Sequence, residues 1–172
     1  MKTTFKSIFP IIILCLIVFS CSKDESGPED PVSPELTFAV EDLDGNTFAD
    51  NQLLEFSTLE YPDASLDFNV RNTSSETIGM RIEVESISGT DGSMMELCFG
   101  QCFAGVNEGI SYPSNNAQPV VYINPGETQP SNGDHFFNSD PGDGSNPVEY
   151  AFKFYIADDN GIQDGNSFGL RY

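Results

Sequence analysis

The residues whose type and spacing could support chemistry are few. Cys98-Phe99-Gly100-Gln101-Cys102 places two thiols four positions apart, and in an exported protein such a pair oxidises to itself. Closing so short a loop stabilises by only about 2 kcal/mol in chain entropy, so Cys98 and Cys102 are expected to form a local disulfide clasp. A redox dithiol fits poorly, because the spacing is one residue longer than Cys-x-x-Cys and no helix start is evident to lower a thiol pKa. Zinc fits poorly too, since two sulfurs and one distant histidine are too few ligands. That histidine, His135, is the sole one in the chain. It reads as a solvated loop residue beside Phe136, with no serine in an elbow motif to make a hydrolase.

Carboxylates are the opposite case. With 27 acidic residues, many pairs will fall at glycosidase distances, so pairing by count identifies nothing. Asp42-Leu43-Asp44-Gly45-Asn46 and Asp158-Asp159-Asn160-Gly161-Ile162-Gln163-Asp164 have the oxygen-rich, glycine-broken look of calcium loops, and Asn138 to Gly144 is similar. None continues to the glutamate of an EF-hand, and hairpin turns want Asn, Asp and Gly for backbone reasons alone. Turn chemistry is therefore the preferred reading, with calcium the one cofactor left open. No catalytic or metal-binding residue is assigned, and the chain is read as noncatalytic.

The elements that must carry these residues read as β. Leu36 to Val40, Ser65 to Val70, Ile78 to Ile87, Val120 to Ile123, Val148 to Ile156 and Ser167 to Tyr172 are rich in aromatic and branched residues and lie between turn clusters. Leu66, Phe68 and Val70 alternate with Asp67 and Asn69, as Met80, Ile82 and Val84 alternate with Arg81, Glu83 and Glu85. Period two with polar partners gives strands with one face in a core and one in water, the habit of antiparallel sheets. An all-β, immunoglobulin-like antiparallel sandwich over residues 36–172 follows, although the tryptophan usual in such cores is absent. Met94 to Tyr112 and Asn124 to Pro147 resist simple hairpins. Both are read as long loops and as the first place to seek partner contacts.

Location is written at the start of the chain. Lys2 and Lys6 precede an apolar run from Ile8 to Phe19, too short for the roughly 20 residues of a membrane-spanning helix. Ser20 and then Cys21 follow. With Val18, they resemble the bacterial lipoprotein signal, whose cysteine is acylated and becomes the first residue; an ordinary secretory signal that happens to precede a cysteine is the alternative. Residues 1–20 are thus expected to be a signal peptide and Cys21 the lipidated membrane anchor. Residues 21–35, acidic and carrying three prolines, are expected to form a disordered tether.

Past the signal, 27 acidic residues face five basic ones, a formal charge of −22. Such a charge repels phosphate backbones, which excludes nucleic acid as a partner, and it favours solubility. Lys23-Asp24-Glu25 resembles the acidic export mark of Bacteroidota surface lipoproteins. The segments around Cys98–Cys102, the Asn124-Pro125-Gly126-Glu127 turn, Glu149 to Phe154 and the closing Ser167 to Tyr172 resemble a β-sandwich module of unknown function in secreted proteins of the same bacteria. The resemblance implies an outer-membrane lipoprotein facing the cell surface and brings no catalytic residues. Proteins with that module often continue into a sorting domain; ending at Tyr172, this chain is expected to rely on its lipid for retention. The expected function is a binding or assembly module for an extracellular partner. The alternative is a glycan- or polymer-capturing surface, with Tyr61, Tyr112, Tyr122 and Phe136 standing in for tryptophan.

Overall fold

The computed structural model describes residues 36–129 and 133–172; the expected signal peptide, Cys21 and the tether lie outside them. The described residues form thirteen strands and no helix. They are β1 (Phe38–Glu41), β2 (Gln52–Leu53), β3 (Ser65–Asp67), β4 (Asn69–Asn72), β5 (Ile78–Ser88), β6 (Met95–Phe99) and β7 (Gln101–Ala104). After these come β8 (Ser111–Tyr112), β9 (Val121–Ile123), β10 (Thr128–Gln129), β11 (His135–Asn138), β12 (Glu149–Ala157) and β13 (Gln163–Arg171).

Two layers result. In one, β3 and β4 follow each other with only Phe68 between them; β4 pairs with β1 and β10, and β3 begins the order β3-β11-β6-β7. The other has the order β2-β13-β12-β5-β8, with β9 also beside β5. The chain is an all-β sandwich in which every ladder is antiparallel except the short β2–β13 contact.

The alternation expected from the sequence appears as burial. Along β12, Tyr150, Phe152 and Phe154 are fully buried, while Glu149, Ala151 and Lys153 between them are half-buried. The inward side chains of both layers merge into one core. Phenylalanine fills the place of the missing tryptophan: Phe136 stacks on Phe152 at 3.8 Å between ring centroids, and Phe68 meets Phe154 edge-on at 5.2 Å. Each such ring contributes about 1.5–3 kcal/mol by burial alone.

Both segments read as long loops contain framework. Met94 to Tyr112 holds β6, β7 and β8, and Asn124 to Pro147 holds β10 and β11. β11 lies between β3 and β6, inside its sheet. Within the second segment, residues 139–147 form the longest described stretch outside the strands.

Candidate functional site

The cysteine pair sits on a hairpin made by β6 and β7. Gly100 turns the chain with φ +70°, a left-handed conformation that glycine adopts without strain, and a Cβ there would meet Val121 at 3.0 Å. The turn sets Cys98 directly opposite Cys102, and the two are bonded, their Cα atoms 4.0 Å apart.

On the other side of β6, Cys98 is paired with His135. This corrects the reading of that histidine as a distant, solvated loop residue. It belongs to β11, its side chain is 12% exposed, and Nε2 lies 2.9 Å from Glu96 Oε1. Nδ1 faces the Gly133 carbonyl at 2.8 Å. Tyr61 covers this edge, its ring centroid 6.2 Å from the imidazole and 5.4 Å from the Phe137 ring. The donor atoms of Glu96, Cys98 and His135 all lie within 4.8 Å of one another. While Cys98 is held in the disulfide its sulfur is no thiolate, and the thiolate is what ligates zinc. Period-two alternation explains the cluster: Met95, Leu97 and Phe99 face the core, so Glu96 and Cys98 lie on the opposite face beside His135, where Cys98 is itself buried at 2% exposure.

Asp134, next in sequence, points the other way and is 4% exposed. Its Oδ1 accepts the Gly100 N–H at 2.9 Å, and its carbonyl accepts the Phe68 N–H at 3.1 Å, tying the hairpin tip to β11 and the β3–β4 break. Oδ2 has no partner. Burial pushes this carboxyl from 3.8 up to about 6, against the opposing pull of the Gly100 bond.

A groove of about 440 Å³ lies between the chain that follows β2 and residues 138–149. Leu54 N–H bonds the Arg171 carbonyl at 2.9 Å. Beyond it the chain alternates, with Leu53, Glu55, Ser57 and Leu59 exposed and Leu54, Phe56 and Thr58 half-buried. Phe56 stacks on Tyr172 at 4.7 Å. Leu53 and Leu59, about two-fifths exposed, join Phe56, Pro141 and Val148 as its apolar lining, while Glu55, Asp140 and Glu149 also face it.

The far wall is held by a buried polar knot. Asn138 accepts the Tyr150 hydroxyl at 3.0 Å and donates to the Asp140 carbonyl at 2.8 Å. Its backbone N–H donates to the Tyr172 hydroxyl at 3.2 Å, which itself donates to the Ala64 carbonyl at 2.7 Å. Asp140 accepts the Gly142 N–H and the Thr90 hydroxyl, so residues 139–148 are braced against the β5–β6 turn. Sequence reasoning found this wall inside Asn124 to Pro147 and missed the facing one, since Leu53 to Leu59 carries no motif.

The calcium-like loops are built as turns. Asp42 Oδ1 accepts the N–H groups of Asp44 and Asn46, and Oδ2 accepts the Asn46 amide. Asp158 repeats the pattern with Asn160 and Ile162. These donors hold both carboxyls below the usual range, the Asn46 side chain foremost for Asp42 and the Ile162 backbone N–H for Asp158. Of the four aromatics proposed as a stacking surface, Tyr112 and Phe136 are buried in the core. Tyr61 and Tyr122 are exposed but lie by different sheets, Tyr61 against β11 and Tyr122 in β9.

No protein-family model matches the chain, and no curated protein matches it. Among solved structures it is similar to the N-terminal domain of PorA, with 16% identity and a TM-score of 0.45 over 78% of this chain and 94% of that one.

Proposed function

We propose that this chain is a noncatalytic surface lipoprotein, anchored through Cys21, whose β-sandwich binds an extended basic and apolar segment of an extracellular protein. The groove beside Leu53 to Leu59 carries the reading. Its volume lies within the several hundred Å³ of ordinary ligand sites, and its apolar floor is rimmed by Glu55, Asp140 and Glu149. Among the described residues Glu55 makes no ion pair, and the whole chain carries a formal charge of −20. Such a rim attracts cationic side chains and repels anionic polymers. The buried aromatics remove much of the support for glycan stacking.

Cells displaying the full chain are expected to retain a fluorescent peptide of alternating lysine and leucine, and not its glutamate counterpart. Leu59→Asp and Glu55→Lys are expected to lower retention at least about tenfold, the loss of roughly 1.4 kcal/mol, with the protein still on the cells. Cys21→Ala is expected to release protein and peptide capacity together into the medium. Undiminished capture by the two groove variants overturns the site, a Cys21→Ala protein that stays on cells overturns the anchor, and hydrolytic turnover by the pure chain overturns the noncatalytic assignment.

A further inference from the structure

We propose that reduction of Cys98–Cys102 converts the outer face of β11, β6 and β7 into a site for a zinc-class divalent cation, held by both sulfurs, Nε2 of His135 and the carboxylate of Glu96. This goes beyond the groove and does not depend on it. The fold supplies what the linear spacing lacks, a nitrogen and an oxygen beside two sulfurs, which is a full tetrahedral set. Three of the four donor atoms already lie within 4.8 Å of one another. Bonds of about 2.0–2.3 Å place tetrahedral ligands about 3.3–3.8 Å apart, so the changes required are small. The 2.9 Å contact between His135 and Glu96 must open by about 0.4 Å to reach that spacing. Glu96, with a side chain 46% exposed, has room to make that move. Cys102 sits directly across from Cys98 on an exposed strand, and the bond between them already places its sulfur beside the Cys98 sulfur.

His135 is preset for the role. Donation of Nδ1–H to the Gly133 carbonyl at 2.8 Å fixes the ring and presents Nε2, the arrangement that orients metal-ligating histidines generally. All four ligands stand on paired strands, which hold geometry better than loops do. Sulfur and imidazole select zinc-like ions over calcium or magnesium, and the acidic surface concentrates cations of any kind.

The chemistry balances with a dithiol as reductant. Its two thiols become a disulfide while two electrons and two protons pass to Cys98 and Cys102, giving two thiols. The cation then displaces to solvent both thiol protons and the proton shared between His135 Nε2 and Glu96, and binds two thiolates, the imidazole nitrogen and the carboxylate. Disulfide and metal are therefore alternative occupants of the same two sulfurs.

The full chain with Cys15 and Cys21 replaced by serine, reduced with a phosphine and freed of it without air, is titrated with cobalt(II) as the spectroscopic probe. One equivalent is expected to bind, with the intense visible bands of a tetrahedral ion and a thiolate-to-metal charge-transfer band, all bleached by zinc. The oxidised chain should show none. His135→Gln and Glu96→Gln are each expected to weaken binding at least about tenfold, and zinc is expected to shield Cys98 and Cys102 from alkylation. Circular dichroism follows the fold throughout. Absence of the bands in a folded reduced chain, loss of the fold on reduction, or binding indifferent to both His135→Gln and Glu96→Gln overturns the proposal.

Discussion

Tyr150 shows how much a single hydroxyl can hold. Its ring belongs to the core, and its hydroxyl is one of two donors to Asn138 Oδ1, the other being the Asp140 N–H at 3.3 Å. Tyr150→Phe keeps the ring and leaves Asn138 one acceptor bond, so a loss of about 1 kcal/mol is expected in chemical denaturation. The pH dependence has a definite sign. Burial raises the Tyr150 phenol from 10.0 to about 12, and Tyr172 beside it is raised for the same reason. The unfolded chain therefore gives up these protons first, and the fold loses stability as pH rises from about 10 toward about 12. Tyr150→Phe is expected to flatten that decline, leaving the share due to Tyr172. An unchanged alkaline unfolding profile in the variant would show that the phenol ionises without cost.

β11 makes the same case for an element. Four residues, His-Phe-Phe-Asn, fill a position inside a sheet, and Phe136 is fully buried against Phe152, Phe68 and Phe154. Phe136→Ala is expected to cost about 3–5 kcal/mol, measured by denaturant unfolding, whereas Phe137→Ala on the outer face should cost much less. Comparable losses would mean that Phe136 is not the packing centre. The long strands were legible: β5 and β12 carry enough alternating positions to fix both their type and their buried face. β11 was not, because four residues give only two inward side chains and its partners in β3 and β6 are remote in sequence. For the same reason the disulfide could be read from spacing, while the approach of His135 and Glu96 to it could not, being set by the β6–β11 register. The loop beside the groove was half legible through its prolines and glycines, and the Leu53 to Leu59 wall was silent.

Over the whole molecule the balance of charge decides. Between residues 36 and 172 there are 22 carboxylates and four Arg or Lys side chains, and all four are engaged. Arg71 meets Glu41, Lys153 meets Glu83 and Arg171 meets Glu149, each at 2.5 Å, while Arg81 bonds the carbonyls of Gly161, Ser111 and Pro113. These pairs are partly buried at one or both ends and use up the few cations the domain has, so repulsion among the remaining carboxylates dominates the salt response. Raising sodium chloride from a few millimolar to about 0.15 M shortens the screening length to about 8 Å, and the melting temperature is expected to rise. A falling melting temperature would mean that the ion pairs outweigh the repulsion. One turn bears on how the protein ages. Asn160-Gly161 is one of the chain's two Asn-Gly dipeptides, the pair type most prone to deamidate, by attack of the glycine nitrogen on the asparagine amide. In the fold that nitrogen donates to the Asp158 carbonyl at 2.8 Å, and the Asn160 amide is drawn to the Asp158 carboxylate. Cyclisation must wait for the turn to open, so isoaspartate at position 160 accumulates as a clock of local opening, and each tick adds one more negative charge.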